Sequence, residues 1–204
     1  MSKTERTDLL RKIRDEVVAL AVPLAQERIQ NKMHPVIGEG SHWARIMFVG
    51  EAPGRSEAAT GRPFVGVAGK ILDELLESAK IPREHVYITN IVKDRPPMNR
   101  DPFPDEISAY GPFLDQQINI IQPEIIATLG RYAMGYILDK FNHSAKLDPI
   151  SKLHGTVLES TASYGPIHIV PLYHPAVAVY NRSTKDTLIK DFHVLCGLVT
   201  EPLK

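Results

Sequence analysis

Apolar positions along the chain alternate between two regimes. Short apolar runs bounded by turn residues lie at 45–49, 86–89, 125–129 and 167–171, and runs of that length rich in β-branched residues predict strands. Between them the spacing is helical. Ile71, Leu72, Leu75, Leu76 and Ala79 fall on one face, and Ile107, Phe113, Leu114, Ile118 and Ile121 fit a second helix that Pro112 is expected to bend. Leu9, Leu10, Ile13, Val17, Leu20 and Leu24 predict a leading amphipathic helix, and 184–199 a closing one. A smaller strand pair is expected around 156–159. Strands alternating with helices give an α/β chain whose parallel sheet is covered on both sides. Four prolines between 94 and 104 predict an ordered surface loop with little helix or strand.

Composition narrows this reading. A chain of 204 residues with 43% hydrophobic content and no evident linker is expected to form one domain over 1–204. No apolar run approaches the roughly 20 residues that span a bilayer, and the first residues lack the apolar core of a signal peptide. A cytoplasmic protein with no membrane contact follows as the expectation. Cys196 is the sole cysteine, which excludes an internal disulfide and any cluster held by four cysteines of one chain. Its position in the closing apolar helix suggests a small buried group. Twenty-four basic residues balance 24 acidic ones, so binding to nucleic acid would need a local basic patch.

Candidate chemistry collects at strand ends. Gly50-Glu51-Ala52-Pro53-Gly54, Thr89-Asn90 and His174-Pro175-Ala176 each follow a predicted strand, and open α/β sheets bind ligands beyond the carboxyl ends of their strands. One pocket would then hold a carboxylate, an amide and an imidazole, with Phe64 of Gly61-Arg62-Pro63-Phe64-Val65-Gly66 adding an aromatic face. These groups suit the reading of a planar base drawn out of a nucleic acid. Taken singly, each has a plainer explanation: a solvated Glu51 in a turn, a core Phe64, an Asn90 capping its own strand and a loop histidine at 174. Only the combination carries weight.

That combination, with Glu57, Thr89-Asn90-Ile91-Val92-Lys93, Arg95-Pro96-Pro97, Asn99-Arg100 and Leu129-Gly130-Arg131, resembles the family 4 uracil-DNA glycosylases, in order from about residue 16 to 193. The resemblance implies a three-layer αβα fold, with the mainly parallel central sheet of four predicted strands, and hydrolysis of the N-glycosidic bond of uracil in single- and double-stranded DNA. It implies a uracil pocket formed by Gly50, Glu51, Ala52, Phe64, Asn90 and His174. Phe64 would stack on the base, Asn90 read its pairing edge, and His174 and Glu51 act as the catalytic pair. Gly54 or Glu57 would wall out the thymine methyl. Lys93, Arg95, Arg100 and Arg182 would meet phosphates, and the 175–178 segment, Pro175, Ala176, Val177 and Ala178, would meet the DNA stack, Val179 extending the wedge. Uracil-containing DNA is the expected partner and a monomer the expected state.

In one respect the sequence departs from the family. The four-iron cluster usual there uses four cysteines, and the matching positions here are Ala19, Val22, Asp94 and Tyr110. No cofactor and no metal are therefore expected. Packing of Ala19 and Val22 is the expected substitute, aided by polar contacts of Asp94 and Tyr110. Three other classes compete. A nucleoside hydrolase would share the pocket, but the basic loops favour a polymer; a non-catalytic lesion reader would not need both Glu51 and His174; a dinucleotide enzyme would show G-x-G-x-x-G after its first strand, which is absent.

Overall fold

The computed structural model describes residues 3–143, 148–180 and 183–198. Its elements run α1 (Lys3–Val18), α2 (Pro23–Gln30), β1 (Glu39–Gly40), β2 (Ile46–Gly50), α3 (Arg55–Thr60), α4 (Val67–Ser78), β3 (Tyr87–Asn90), α5 (Pro104–Ile121), β4 (Ile125–Leu129), α6 (Arg131–Lys140), α7 (Ile150–Leu153), β5 (Leu158–Ala162), β6 (Gly165–Leu172), α8 (Val177–Tyr180) and α9 (Ser183–Leu198). Among the described residues the sheet has six strands in the order β1-β3-β2-β4-β6-β5. The four expected strands form its parallel centre, and β1 and β5 add antiparallel edges. The expected count of four is thus corrected to six. The two-residue β1 is too short to leave a pattern in the sequence.

Residues of the central strands alternate between two cores, as the pleat requires. Met47 and Val49 pack with α1, α2, α5 and α6, whereas Ile46 and Phe48 pack with α4, α8 and α9. Three layers result. The predicted leading helix is two helices: α1 ends at Val18, and Leu24 belongs to α2 beyond a corner. α5 continues through Pro112 as one helix. Because β2, β3, β4 and β6 are parallel, their carboxyl ends share one edge of the sheet. From β2 the chain crosses to β3 on one side and later to β4 on the other, so this edge holds the topological switch point at which α/β sheets form crevices.

The corner between α1 and α2 is held by the expected polar contacts of Asp94 and Tyr110, without the expected packing of Ala19 and Val22. Ala19 is exposed and Val22 only half-buried. Instead, the buried Arg28 donates to the carbonyls of Val17 (3.2 Å) and Val18 (2.8 Å) and pairs with Asp94 at 3.3 Å. Tyr110 donates to the other side of the arrangement, its hydroxyl lying 2.6 Å from Asp94 Oδ2. Burial pushes the Asp94 carboxyl up, against the pull of Tyr110 and Arg28. This network ties the first residue of the proline-rich loop to the N-terminal helices. A guanidinium with no thiolate beside it does not fit a four-iron cluster, whose ligands are cysteine sulfurs. Cys196 lies elsewhere, exposed on α9 with its Sγ 3.0 Å from Ala79 O, and is not the buried group expected of it.

Removing one partner strands the other charge in the interior. Asp94→Ala should lower stability by about 3–5 kcal/mol, read as a shift in the denaturant midpoint, and joint replacement of Arg28 and Asp94 by apolar residues should recover most of the loss. An unchanged midpoint in Asp94→Ala would refute the network's structural role.

Candidate active site

The register of β2 and β3 sets Gly50 opposite Asn90. Beyond the strands the pairing continues, with Ile91 N donating to Gly50 O and Val92 N to Glu51 O, both at 3.0 Å. Glu51 is thereby fixed beside the Asn90 strand end. From β6, His174 reaches the same edge, where Gly130 makes room for it: a Cβ at residue 130 would lie 3.2 Å from His174 Cβ, and φ there is +93°.

Phe64 reaches the pocket through a backbone with φ of +50°, a conformation that side chains rarely adopt. Three residues hold it. Glu57 Oε1 accepts from Val65 N (2.9 Å) and Gly66 N (2.7 Å), Arg83 donates to the Pro63 carbonyl (2.8 Å), and Gly69 leaves space for the Phe64 carbonyl, which a Cβ would approach to 1.9 Å. The Phe64 and His174 rings lie 5.7 Å apart at 32°.

Glu51, Phe64 and His174 line a cavity of about 560 Å³ together with Ala52, Pro53, Gly54, Glu57, Pro96, Asn99, Arg100 and Ala176, and Gly50 lies just outside its lining. That volume lies within the roughly 300–1,000 Å³ of small-ligand sites. Asn90 lines it too, with Oδ1 buried and without a hydrogen-bond partner. A buried unsatisfied amide is costly unless something completes it.

His174 is held in one tautomer. Ala176 N donates to its Nδ1 (3.2 Å), which makes Nδ1 an acceptor and puts the ring proton on Nε2. Burial lowers its pKa, opposed by the nearby Glu57 charge, so the imidazole is neutral at pH 7. Burial also raises Glu51, to about 7; Asp101 adds to the rise and Arg131 opposes it. Asp101 and Arg131 form an ion pair that Tyr132 joins through a 2.7 Å hydrogen bond to Asp101. In the sequence Arg131 stands only in the Leu129-Gly130-Arg131 motif and Asp101 in none; their spatial approach to Glu51 leaves no spacing signal.

Several predicted DNA contacts are redrawn. Lys93 has no exposed surface: its Nζ donates to Thr89 Oγ1 (2.9 Å), Asn90 O (2.6 Å) and Gln117 Oε1 (2.6 Å), and burial lowers it to about 7. It therefore braces the Asn90 strand end and cannot reach a phosphate. Pro175 and Ala178 are buried, Ala178 within the α8–α9 core, so neither is free to enter a base stack. Ala176 and Val177 are half-buried, and Val179 is exposed. Arg95 is half-buried beside Asn99, and Arg100 is paired with Glu106 at 2.6 Å. Arg182 lies outside the described residues.

Comparison with known proteins agrees with this geometry. The sequence model of the uracil DNA glycosylase superfamily matches residues 37–193. The chain is 43% identical over 196 residues to a type-4 uracil-DNA glycosylase of Sulfurisphaera tokodaii, covering 96% of this chain and 87% of that protein. It is 47% identical over 162 residues to the type-4 enzyme of Saccharolobus solfataricus, covering 79% and 74%, and 42% identical over 171 residues to that of Archaeoglobus fulgidus, covering 82% and 85%. With a pocket of the expected groups at the switch point of an αβα sheet, and these relatives over 79–96% of its length, the chain belongs to the uracil DNA glycosylase superfamily as a type-4 uracil-DNA glycosylase.

Proposed function

We propose that this protein removes uracil from single- and double-stranded DNA and works as a cofactor-free monomer of one domain in the cytoplasm. The observation that carries the reading is the orphaned, buried Asn90 Oδ1 in a pocket walled by Phe64 and His174. A base presenting N–H beside a carbonyl completes that amide: Oδ1 accepts from uracil N3–H and Nδ2 donates to O4. Cytosine offers a donor and an acceptor in the opposite order, leaving both groups unsatisfied, and a polar site rejects such a mismatch strongly. Phe64 stacks on the base. Gly54 and Glu57 close the side where thymine carries its methyl. Among the described residues no helix is long and apolar enough to cross a membrane.

Reaching the base requires unpairing and flipping the nucleotide, at a cost of a few kcal/mol. As the C1′–N1 bond breaks, its electron pair passes to the base and positive charge develops on the sugar. The Nε2–H of neutral His174 donates to O2 and stabilises the departing anion, a preorganised interaction that needs no proton transfer. Ionised Glu51 stabilises the sugar cation and orients the water that adds at C1′, and the proton this water releases balances the negative charge of the departed base. The Arg28–Asp94–Tyr110 network supports the cofactor-free reading, because it occupies the region with charge and hydrogen bonds unsuited to cysteine-ligated iron.

Purified protein should release free uracil from uracil-containing oligonucleotides without added cofactor. Asn90→Ala and His174→Ala should each slow single-turnover release by about 10²–10³; near-normal release by either variant would refute its assignment, and no release from any substrate by the unaltered protein would refute the activity. Because Glu51 is raised to about 7, it is protonated below that pH and ionised above it. The single-turnover rate should rise with pH through a midpoint near 7 and then level. Glu51→Gln should abolish that limb, and a flat profile in the unaltered protein would contradict the role of the carboxylate.

A further inference from the structure

Met98 is 92% exposed, the most exposed large apolar side chain among the described residues. Nothing in the uracil pocket uses it. Met98 and Asn99 both adopt left-handed backbone, with φ of +54° and +55°, a costly arrangement for two consecutive residues other than glycine and one that concentrates at functional sites. The surrounding structure enforces it. Asn99 N donates to Pro96 O and Arg100 N to Pro97 O, each at 3.1 Å, while Arg95 Nε donates to Asn99 Oδ1 at 2.7 Å. Pro96 and Pro97 stiffen the approach.

The turn stands at the mouth of the site. Pro96, Asn99 and Arg100 line the cavity, whereas Met98 does not; its side chain points from the rim into solvent. We propose that Met98 is a rim wedge that enters the duplex beside the flipped uracil. The proposal rests on the glycosylase reading. An extruded nucleotide leaves a gap in the stack, and apolar side chains that enter such gaps are commonly Met, Leu, Ile or Phe. Methionine is unbranched and adapts its shape to the opening. An apolar tip carried between Arg95 and Arg100 suits a partner that offers stacked bases between rows of phosphates, and a strained, braced turn presents it with little ordering left to lose on binding. Met98 would meet the duplex from the side of the β3 loop, while Val179, 45% exposed on α8, stands on the His174 side. Single strands have no stack to fill, so the wedge acts on duplex substrates.

The test compares the unaltered protein, Met98→Ala and Met98→Leu on one oligonucleotide with a central dU, single-stranded or paired. Since the site is exposed and the turn is held by other residues, the variants should fold, which thermal melting checks. Met98→Ala should lower the ratio of duplex to single-strand excision by about tenfold, and Met98→Leu should restore it. In parallel, 2-aminopurine placed next to a non-cleavable 2′-fluoro-2′-deoxyuridine in duplex DNA should brighten with the unaltered protein and Met98→Leu, and stay dim with Met98→Ala. An unchanged excision ratio together with unchanged brightening overturns the wedge, and normal release from single strands would leave the glycosylase reading standing. Conversely, Met98-dependent brightening without release of uracil from any strand supports the wedge and overturns the glycosylase reading.

Discussion

β2 and β3 pair with Gly50 opposite Asn90, and at that point a Cβ on residue 50 would lie 2.3 Å from Asn90 Oδ1 and 2.9 Å from the Phe64 ring. Two of the pocket's recognition groups thus rest directly on the bare backbone of a third residue. The rest of the site follows from that contact. Glu51 is one residue further along the same strand end, and the buried Lys93 ammonium donates to the Asn90 carbonyl at 2.6 Å. The amide is held between a glycine that lets it approach and a buried lysine that keeps its backbone in place, so it meets a ligand already oriented.

Electrostatics divide the labour between the two groups flanking the pocket. Burial acts on both, raising an acid and lowering a base, and in each it disfavours the charged form; His174 is left neutral, whereas Glu51 still ionises as the pH passes about 7. His174 stays neutral with its proton on Nε2, suited to donating to a developing anion. Glu51 is brought close to neutrality in pH, where its charge is available and sensitive to neighbours such as Asp101 and Arg131. The basic side chains at the rim are only partly free, since Arg100 is shared with Glu106. In a chain whose formal charge sums to zero, attraction to phosphate rests on local charge such as the exposed Arg55 at the pocket.

The parallel centre of the sheet was legible because buried strands and amphipathic helices leave different periods, and the pocket was legible because parallel strands end on one edge. Burial of single polar residues was not. Lys93 looked like a loop cation because nothing near it in sequence reveals that Gln117, on α5, supplies its partner. Arg28 and Asp94 are 66 residues apart and meet only in the fold, so the sequence points to polar contacts at Asp94 without disclosing Arg28 as the partner. α8 turns back into the core and hides Ala178, which an apolar run alone does not disclose. The place of Met98 lies in its backbone angle and exposure, neither of which a side-chain pattern records.

The most direct test of this account is Gly50→Ala, measured for melting temperature and for single-turnover release of uracil from single-stranded DNA. A methyl group there displaces the Asn90 amide or the Phe64 ring and not the strands themselves. The account predicts a melting temperature within a few degrees of the unaltered protein and a fall in release of about 10²-fold or more. Release at the unaltered rate, with the fold intact, would show that recognition does not depend on the close approach of Asn90 and Phe64 to Gly50.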